Sequence, residues 1–382
     1  MLRVAYLCEF TTLNGGENSL LTFLATAVES IQAIVLCPSE GSLVQKLRVR
    51  GITCVPFDVR DSSGQRKPLE QIVAELCVVV KRLDVDIVHG NSLSMSRILG
   101  AAEDLTCVTV GHVRDIMKVS RKVIRDLNQV DRLIAVSAAT VQAFCEQGVQ
   151  ADRITKVFNG VDERLFCATS KDSNKVNVSV TWRRKLGLTS DAVLIGGVGQ
   201  IGLRKGWPVL CDAVEKIIND FPNLHVVIAG ERYSEKQESS HFEKSLAGRA
   251  NSGPLAGRLH LVGYVDEMPE FMRQINVLAH PALQEPLGRV LLEAAASQTP
   301  VVATDVGGTG EIFGDNAALL VDAGDAAGLA NALRDVLLDF SAASERAVIA
   351  KERIGRLFSI HEFHDSILQV YRLALKLSVT QQ

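Results

Sequence analysis

The chain has no Cys-x-x-Cys pair: its eight cysteines, Cys8, Cys37, Cys54, Cys77, Cys107, Cys145, Cys167 and Cys211, stand singly, mostly within apolar runs. That spacing excludes the common zinc and dithiol motifs and leaves buried free thiols in a reducing compartment as the expectation. No apolar run approaches the roughly 18 residues that a membrane-spanning helix needs. The opening run, Leu2 to Leu7, reads as a strand rather than a signal peptide, so a cytoplasmic protein is expected. Charge is balanced at 41 Lys and Arg against 44 Asp and Glu, a formal −3, which gives no case for a nucleic-acid partner. Asp84-Val85-Asp86 looks like a metal-binding Asp-x-Asp, but it directly precedes the strand-like Ile87 to His89 and reads as a helix end, so no metal site is expected.

What is present is an ordinary globular balance, 47% hydrophobic and 22% charged, over 382 residues. That length suits two domains of about 150 to 200 residues each. Short apolar runs near Val4–Cys8, Ala33–Cys37, Thr53–Phe57, Ile87–His89, Val108–Val110 and Leu133–Val136 alternate with helical patterns. A second series follows at Ala192–Val198, Leu224–Ala229, Leu259–Val262 and Pro300–Thr304. The alternation predicts an α/β protein with parallel sheets that bind ligands at the carboxyl ends of their strands. The polar stretch Ala168 to Val180 reads as the crossing between a domain of residues 1–170 and one of 181–362, with a final helix near His361 to Leu377. Within the crossing, Asn177-Val178-Ser179 matches a glycosylation sequon, a short pattern that arises easily by chance. Residues 232 to 257 read as a polar helix and loop.

Ala279 to Phe313 is the most informative stretch. Pro286 suits a first helical position and the apolar residues after it recur at helical spacing to Ser297, so Glu285 is expected before a helix and Glu293 about two turns into it. A β-branched strand and the turn Gly307 to Gly310 follow, with another helix expected at Glu311. Backbone amides at the start of the Leu287 helix favour a phosphate, and Gly288 permits close approach of a ligand. The two carboxylates cannot bind that phosphate, but they can accept from sugar and ribose hydroxyls.

This stretch resembles the donor-binding segment of the retaining glycosyltransferases of family 4, which have the GT-B fold. The resemblance lies in Glu285, Glu293, Ala294 to Ala296, Pro300 to Thr304, Gly307-Gly308 and Glu311. It implies two Rossmann-like domains facing each other across a cleft, with the last helix returning to the first domain. It also implies transfer from a nucleotide-diphosphate sugar to an acceptor hydroxyl with retention, without metal or cofactor. Glu285 would hold the transferred sugar, amides from Leu287 to Arg289 the diphosphate, and Glu293 the ribose. Elsewhere, Gly15-Gly16 would lie against the diphosphate and acceptor, His112 after the Cys107–Val110 strand near the transferred sugar, and Gly263-Tyr264 beside the base. Lys205 matches the family's diphosphate-neutralising Lys-Gly pair; Gln200 stands where the family has arginine, with Arg204 as a compensating cation. Pro286 and Arg289 are further departures, replacing a usual glycine and a common apolar residue. Ser137 is expected to cap a helix.

Two other patterns carry rival readings. Gly197-x-Gly199-x-x-Gly202 is formally a dinucleotide fingerprint, and would make the chain an NAD-dependent oxidoreductase, but the helix is expected to start only near Trp207. Gln200 and Pro286 motivate a non-catalytic, nucleotide-sugar-binding module. The basic segment Arg114, Lys118, Arg121, Lys122 and Arg125, interleaved with apolar residues, reads either as a solvated helix face or as a patch that meets an anionic acceptor or a membrane surface.

Overall fold

In the computed structural model, residues 1–167, 181–232 and 237–380 are described. The predicted crossing and the sequon within it lie outside them. The chain forms two compact units, Met1–Gly160 with Phe358–Gln382, and Val161–Leu357.

The first unit is built on seven parallel strands: β1 (Leu2–Leu7), β2 (Ile31–Cys37), β3 (Thr53–Pro56), β4 (Ile87–Gly90), β5 (Val108–Val113), β6 (Arg132–Ala135) and β7 (Ile154–Lys156). Their order is β3-β2-β1-β4-β5-β6-β7. Successive side chains on β1 point to opposite faces, so Val4, Tyr6 and Cys8 enter one core while Ala5 and Leu7 enter the other. The final helix, Ile360–Thr380, closes the first core with Phe363, Ile367, Tyr371 and Ala374.

The second unit has six parallel strands: β8 (Val193–Val198), β9 (Leu224–Ala229), β10 (Leu259–Gly263), β11 (Val277–His280), β12 (Val301–Thr304) and β13 (Leu319–Val321), in the order β10-β9-β8-β11-β12-β13. The β11 and β13 strands are not among the runs read from the sequence; β13 has only three residues, whereas β11 is as long as β12. In each sheet the strand order reverses once, between β1 and β4 and between β8 and β11. Loops leaving such neighbours diverge to opposite faces and open a crevice for ligands.

Several helix starts differ from the sequence reading. The turn expected at Asn14 to Glu17, before a helix from Asn18, is already helical from Gly15, where the Asn14 N–H donates to Glu17 Oε2 at 3.2 Å. The helix expected from Pro286 begins only at Arg289, because Gly288 before it takes φ +99°, a left-handed turn that resets the chain direction. The next helix starts at Thr309 rather than Glu311. Ser137 does cap its helix, accepting from the Thr140 N–H at 3.0 Å. Asp84 ends the helix Leu69–Leu83 in the left-handed region, while Asp86 accepts from the Arg3 N–H. Cys8, Cys37, Cys54, Cys77, Cys107, Cys145 and Cys211 are free thiols. The polar helix foreseen in residues 232 to 257 runs over Gln237–Asn251. Among the described residues, no helix is long and apolar enough to cross a membrane.

Candidate donor site and a buried histidine network

The loops that follow β8 and β11 bring Lys205 and Glu285 together in the second unit. After β8 the chain makes a single tight turn, Leu203–Lys205, and reverses at Gly206, φ +67°, into the helix Trp207–Ile217. Trp207 is fully buried, and its Nε1–H donates to the Gln200 carbonyl at 3.1 Å. Gly197 is there for packing: a methyl on it would stand 2.7 Å from the Trp207 ring. The first glycine of the formal fingerprint therefore seats an indole, and the helix starts past Gly202, so the dinucleotide geometry is not built.

The turn carries Lys205 Nζ to 2.5 Å from Glu285 Oε2, in the loop after β11. His280, the last residue of β11, puts its Nε2 2.9 Å from the same oxygen. Glu285 is 8% exposed and His280 1%. Burial pushes the Glu285 carboxyl up, but the Lys205 charge and the His280 hydrogen bond outweigh it and bring it down to about 2. Burial, with the Lys205 charge, likewise keeps the His280 ring neutral, below its ordinary value. The Glu285 loop is pinned at both ends: Leu283 N–H donates to the Arg204 carbonyl at 2.8 Å, and Gly308 N–H donates to the Glu285 carbonyl at 3.1 Å.

Beyond Gly288, Leu291 and Leu292 N–H both return to the Gly288 carbonyl. The first amides of the helix Arg289–Ala296 have no partner inside it, as at any helix start. Leu287, just before this turn, is buried. Glu293, 8% exposed on the same helix, accepts from Arg289 Nε at 2.8 Å. Burial raises its carboxyl and Arg289 only partly offsets that. The arginine that replaces a common apolar residue thus holds the proposed ribose carboxylate, while its Nη1 is buried without a partner among the described residues. Along the same carboxyl edge, Gly263 ends β10 at φ +70°, and the Tyr264 N–H donates to Glu231 Oε1 at 3.3 Å. Tyr264 is 47% exposed; Gln200 and Arg204 also present exposed side chains.

Of the residues read from the sequence, the structure brings Lys205 and Glu285 into contact, ties the Arg204 backbone to the Glu285 loop, and sets Glu293 against Arg289. His280 was missed, although a histidine closing an apolar run shortly before a glutamate was the available signal.

In the first unit, His112 does not follow its strand as expected but sits inside β5, fully buried. The strand runs on to Val113 because Gly111, His112 and Val113 pair with β6. Arg114 is not on an exposed basic face either. Its guanidinium donates to Asn159 Oδ1 at 2.8 Å, Ser19 Oγ at 3.1 Å and Asn91 Oδ1 at 3.1 Å, and lies 3.0 Å from His112 Nδ1. Arginine can only donate, so Nδ1 accepts and the His112 proton is on Nε2. Burial lowers the Arg114 guanidinium to about 10 and keeps His112 well below its ordinary value. A methyl on Gly16 would meet Arg114 Cδ at 3.3 Å, so the helix start packs on this hub, whereas one on Gly15 would meet nothing. His89 Nδ1 and Tyr371 Oη, 2.6 Å apart, anchor the last helix to β4. The basic segment is broken: Ser120 caps the helix Arg121–Gln129, and Lys118, Arg121, Lys122 and Arg125 are exposed with Met117.

Two switch-point sheets, with a lysine-held carboxylate beside a helix start in the second, define a GT-B protein. The chain belongs to glycosyltransferase family 4: the sequence model "Glycosyltransferase Family 4" matches residues 13–165, and "Glycosyl transferases group 1" matches residues 179–353. Similar sequences include the lipopolysaccharide core biosynthesis glycosyltransferase LpsE of Rhizobium meliloti, 30% identical over 49% of this chain and 52% of that one. A D-inositol 3-phosphate glycosyltransferase of Stackebrandtia nassauensis is 29% identical over 59% of this chain and 50% of that one. The chain thus spans about half the length of these curated relatives. Among solved structures, Anabaena Alr3699/HepE in complex with UDP-glucose superposes with a TM-score of 0.83 at 22% identity, over 97% of this chain and 99% of that one. The sucrose-phosphate synthase of Thermosynechococcus elongatus gives 0.77 at 18% identity, over 99% and 100%. At those identities the likeness is one of fold.

Proposed function

We propose that this chain transfers a sugar from a nucleotide-diphosphate sugar to an acceptor hydroxyl, with retention of configuration and without a metal ion or cofactor. The observation that carries the reading is the ionised, nearly buried Glu285, gripped by Lys205 and His280 immediately before a helix start. A carboxylate in that state accepts hydrogen bonds from sugar hydroxyls. The amides that open the helix Arg289–Ala296 and the Lys205 ammonium then stabilise the negative charge that develops on the departing diphosphate. Chemistry comes from positioning and charge stabilisation rather than a covalent nucleophile. His112, a fixed Nε2–H donor, contributes a hydrogen bond near the reacting centre. Gly15-Gly16 lie against the diphosphate and acceptor, Glu293 binds the ribose, and Gly263 with Tyr264 lies beside the base. The acceptor is a sugar, a lipid-linked sugar or a small molecule. The protein works in the cytoplasm, with Lys118, Arg121, Lys122 and Arg125 available to an anionic surface.

The test is a thermal-shift panel of UDP-glucose, ADP-glucose and GDP-mannose, followed by calorimetry with the best ligand and its parent nucleotide. A ligand at a hundred times its Kd adds about 2.7 kcal/mol of stability. No shift with any nucleotide sugar overturns the reading. A second reading, donor binding without transfer, is favoured by the Arg289–Glu293 ion pair and by the uncharged Gln200. Slow hydrolysis of the bound donor, or transfer to any acceptor, decides against it.

A further inference from the structure

Glu285 Oε2 takes two donors, Lys205 Nζ at 2.5 Å and His280 Nε2 at 2.9 Å, whereas Oε1 takes none from the described residues and is not among the buried unpartnered atoms. An ionised carboxylate only accepts, so His280 must donate from Nε2. The ring's other nitrogen, Nδ1, is buried without a partner. A second proton there would be an unsatisfied buried donor close to the Lys205 charge, so the ring carries one proton, committed to Glu285. Its backbone is fixed as well: His280 pairs with Ala303 of β12, and Thr304 Oγ1 donates to the Ala282 carbonyl at 2.5 Å, holding the chain on both sides of Pro281. The two donors are unequal. Lys205 is a flexible cation with a side chain 24% exposed, and a diphosphate competes with Glu285 for it. His280 is rigid and has one partner.

We propose that His280 is a positioning residue of the donor site: its Nε2–H fixes Glu285 through Oε2 and leaves Oε1 to the hydroxyls of the transferred sugar, also when Lys205 turns to the diphosphate. This rests on the reading of Glu285 given above. The charged and titratable groups that face Glu285 are Lys205 and the His280 ring, and those that face His280 are Glu285 and Lys205.

Two measurements test it. In the ligand-free chain, 15N NMR should show the His280 ring as neutral Nε2–H at pH 7; a ring that is charged at that pH, or carries its proton on Nδ1, overturns the proposal alone. In calorimetry with the best nucleotide sugar of the panel and its parent nucleotide diphosphate, His280→Leu should weaken the nucleotide sugar at least about tenfold and leave the diphosphate within about twofold. His280→Gln, which returns an amide donor, should recover most of the loss. The acid limb of nucleotide-sugar binding should also move to higher pH in His280→Leu, which a packing role would not cause. Equal losses for the two ligands, no loss for either, or no recovery by glutamine overturns the proposal. A wild-type chain that binds the diphosphate but no nucleotide sugar overturns the functional reading and the proposal with it.

Discussion

Gly206 and Pro281 touch backbone to backbone: a methyl group on Gly206 would stand 1.9 Å from the Pro281 carbonyl oxygen. The contact clamps the turn after β8 against the loop after β11, and this is what lets Lys205 reach Glu285. Gly206→Ala should cost at least about 2 kcal/mol, through the clash and the φ of +67°, which suits glycine. Urea denaturation measures the loss, and an unchanged midpoint would show that the two loops separate freely.

Lys205→Ala should discriminate between ligands by their phosphates. A charge-assisted contact to the diphosphate contributes about 1.5 to 3 kcal/mol, so affinity for a nucleotide diphosphate should fall roughly tenfold to a hundredfold. The bare nucleoside should bind nearly as before. Equal losses for both would falsify the assignment of Lys205 to the diphosphate.

Glu293 should act on the ribose, although Arg289 already holds its Oε1. Glu293→Gln should weaken nucleoside and nucleotide alike, and a 2′,3′-dideoxy nucleotide should bind this variant and the wild type equally. The affinity lost on removing the two ribose hydroxyls should therefore be larger in the wild type than in the variant, which requires that Arg289 yield Glu293 to the ribose. Arg289→Leu, which leaves the carboxylate without its cation, should alter nucleoside affinity; no change there assigns Arg289 to the helix alone.

Acid should destabilise the first unit through its buried histidines. Burial lowers His89 from 6.5 to about 3, so between those values the unfolded chain binds the proton and the folded chain does not. Its contribution is therefore present in full above pH 6.5 and lost as pH falls towards 3. The loss is about 1.4 kcal/mol per pH unit for each such group. Within the same unit His112 acts in the same direction, while Glu17, raised by burial, acts in the opposite one. Comparing wild type with His89→Gln by urea denaturation from pH 7 to 5 isolates the His89 share. Parallel pH dependences would mean the ring is protonated in the fold.

Lys118, Arg121 and Lys122 are exposed beside Met117, which is 48% exposed. If they meet anionic lipid, changing all three to glutamine should abolish sedimentation with phosphatidylserine vesicles, and salt should weaken the binding of the wild type. A wild-type chain that stays in the supernatant at low salt leaves this face solvated.

The sequence by itself determined the α/β class, most of the strands and the family, because strand hydrophobicity and turn residues are local. Glu285 and Lys205 stood out beside a Pro and a Gly turn, and Glu293 by its spacing from Glu285 in the pattern that resembles the family. Helix starts were less legible: whether Gly288 ends a loop or lies in a helix depends on a φ that Leu291 and Glu285 help to set by packing against it. Only the tertiary structure showed that Lys205 and His280 share one oxygen of Glu285, and that Arg114 belongs to a buried hub rather than to a basic face. Lys205 and Glu285, like Arg114, Asn91 and Asn159, follow different strands, and strand order, which composition and periodicity do not encode, decides which of these segments meet.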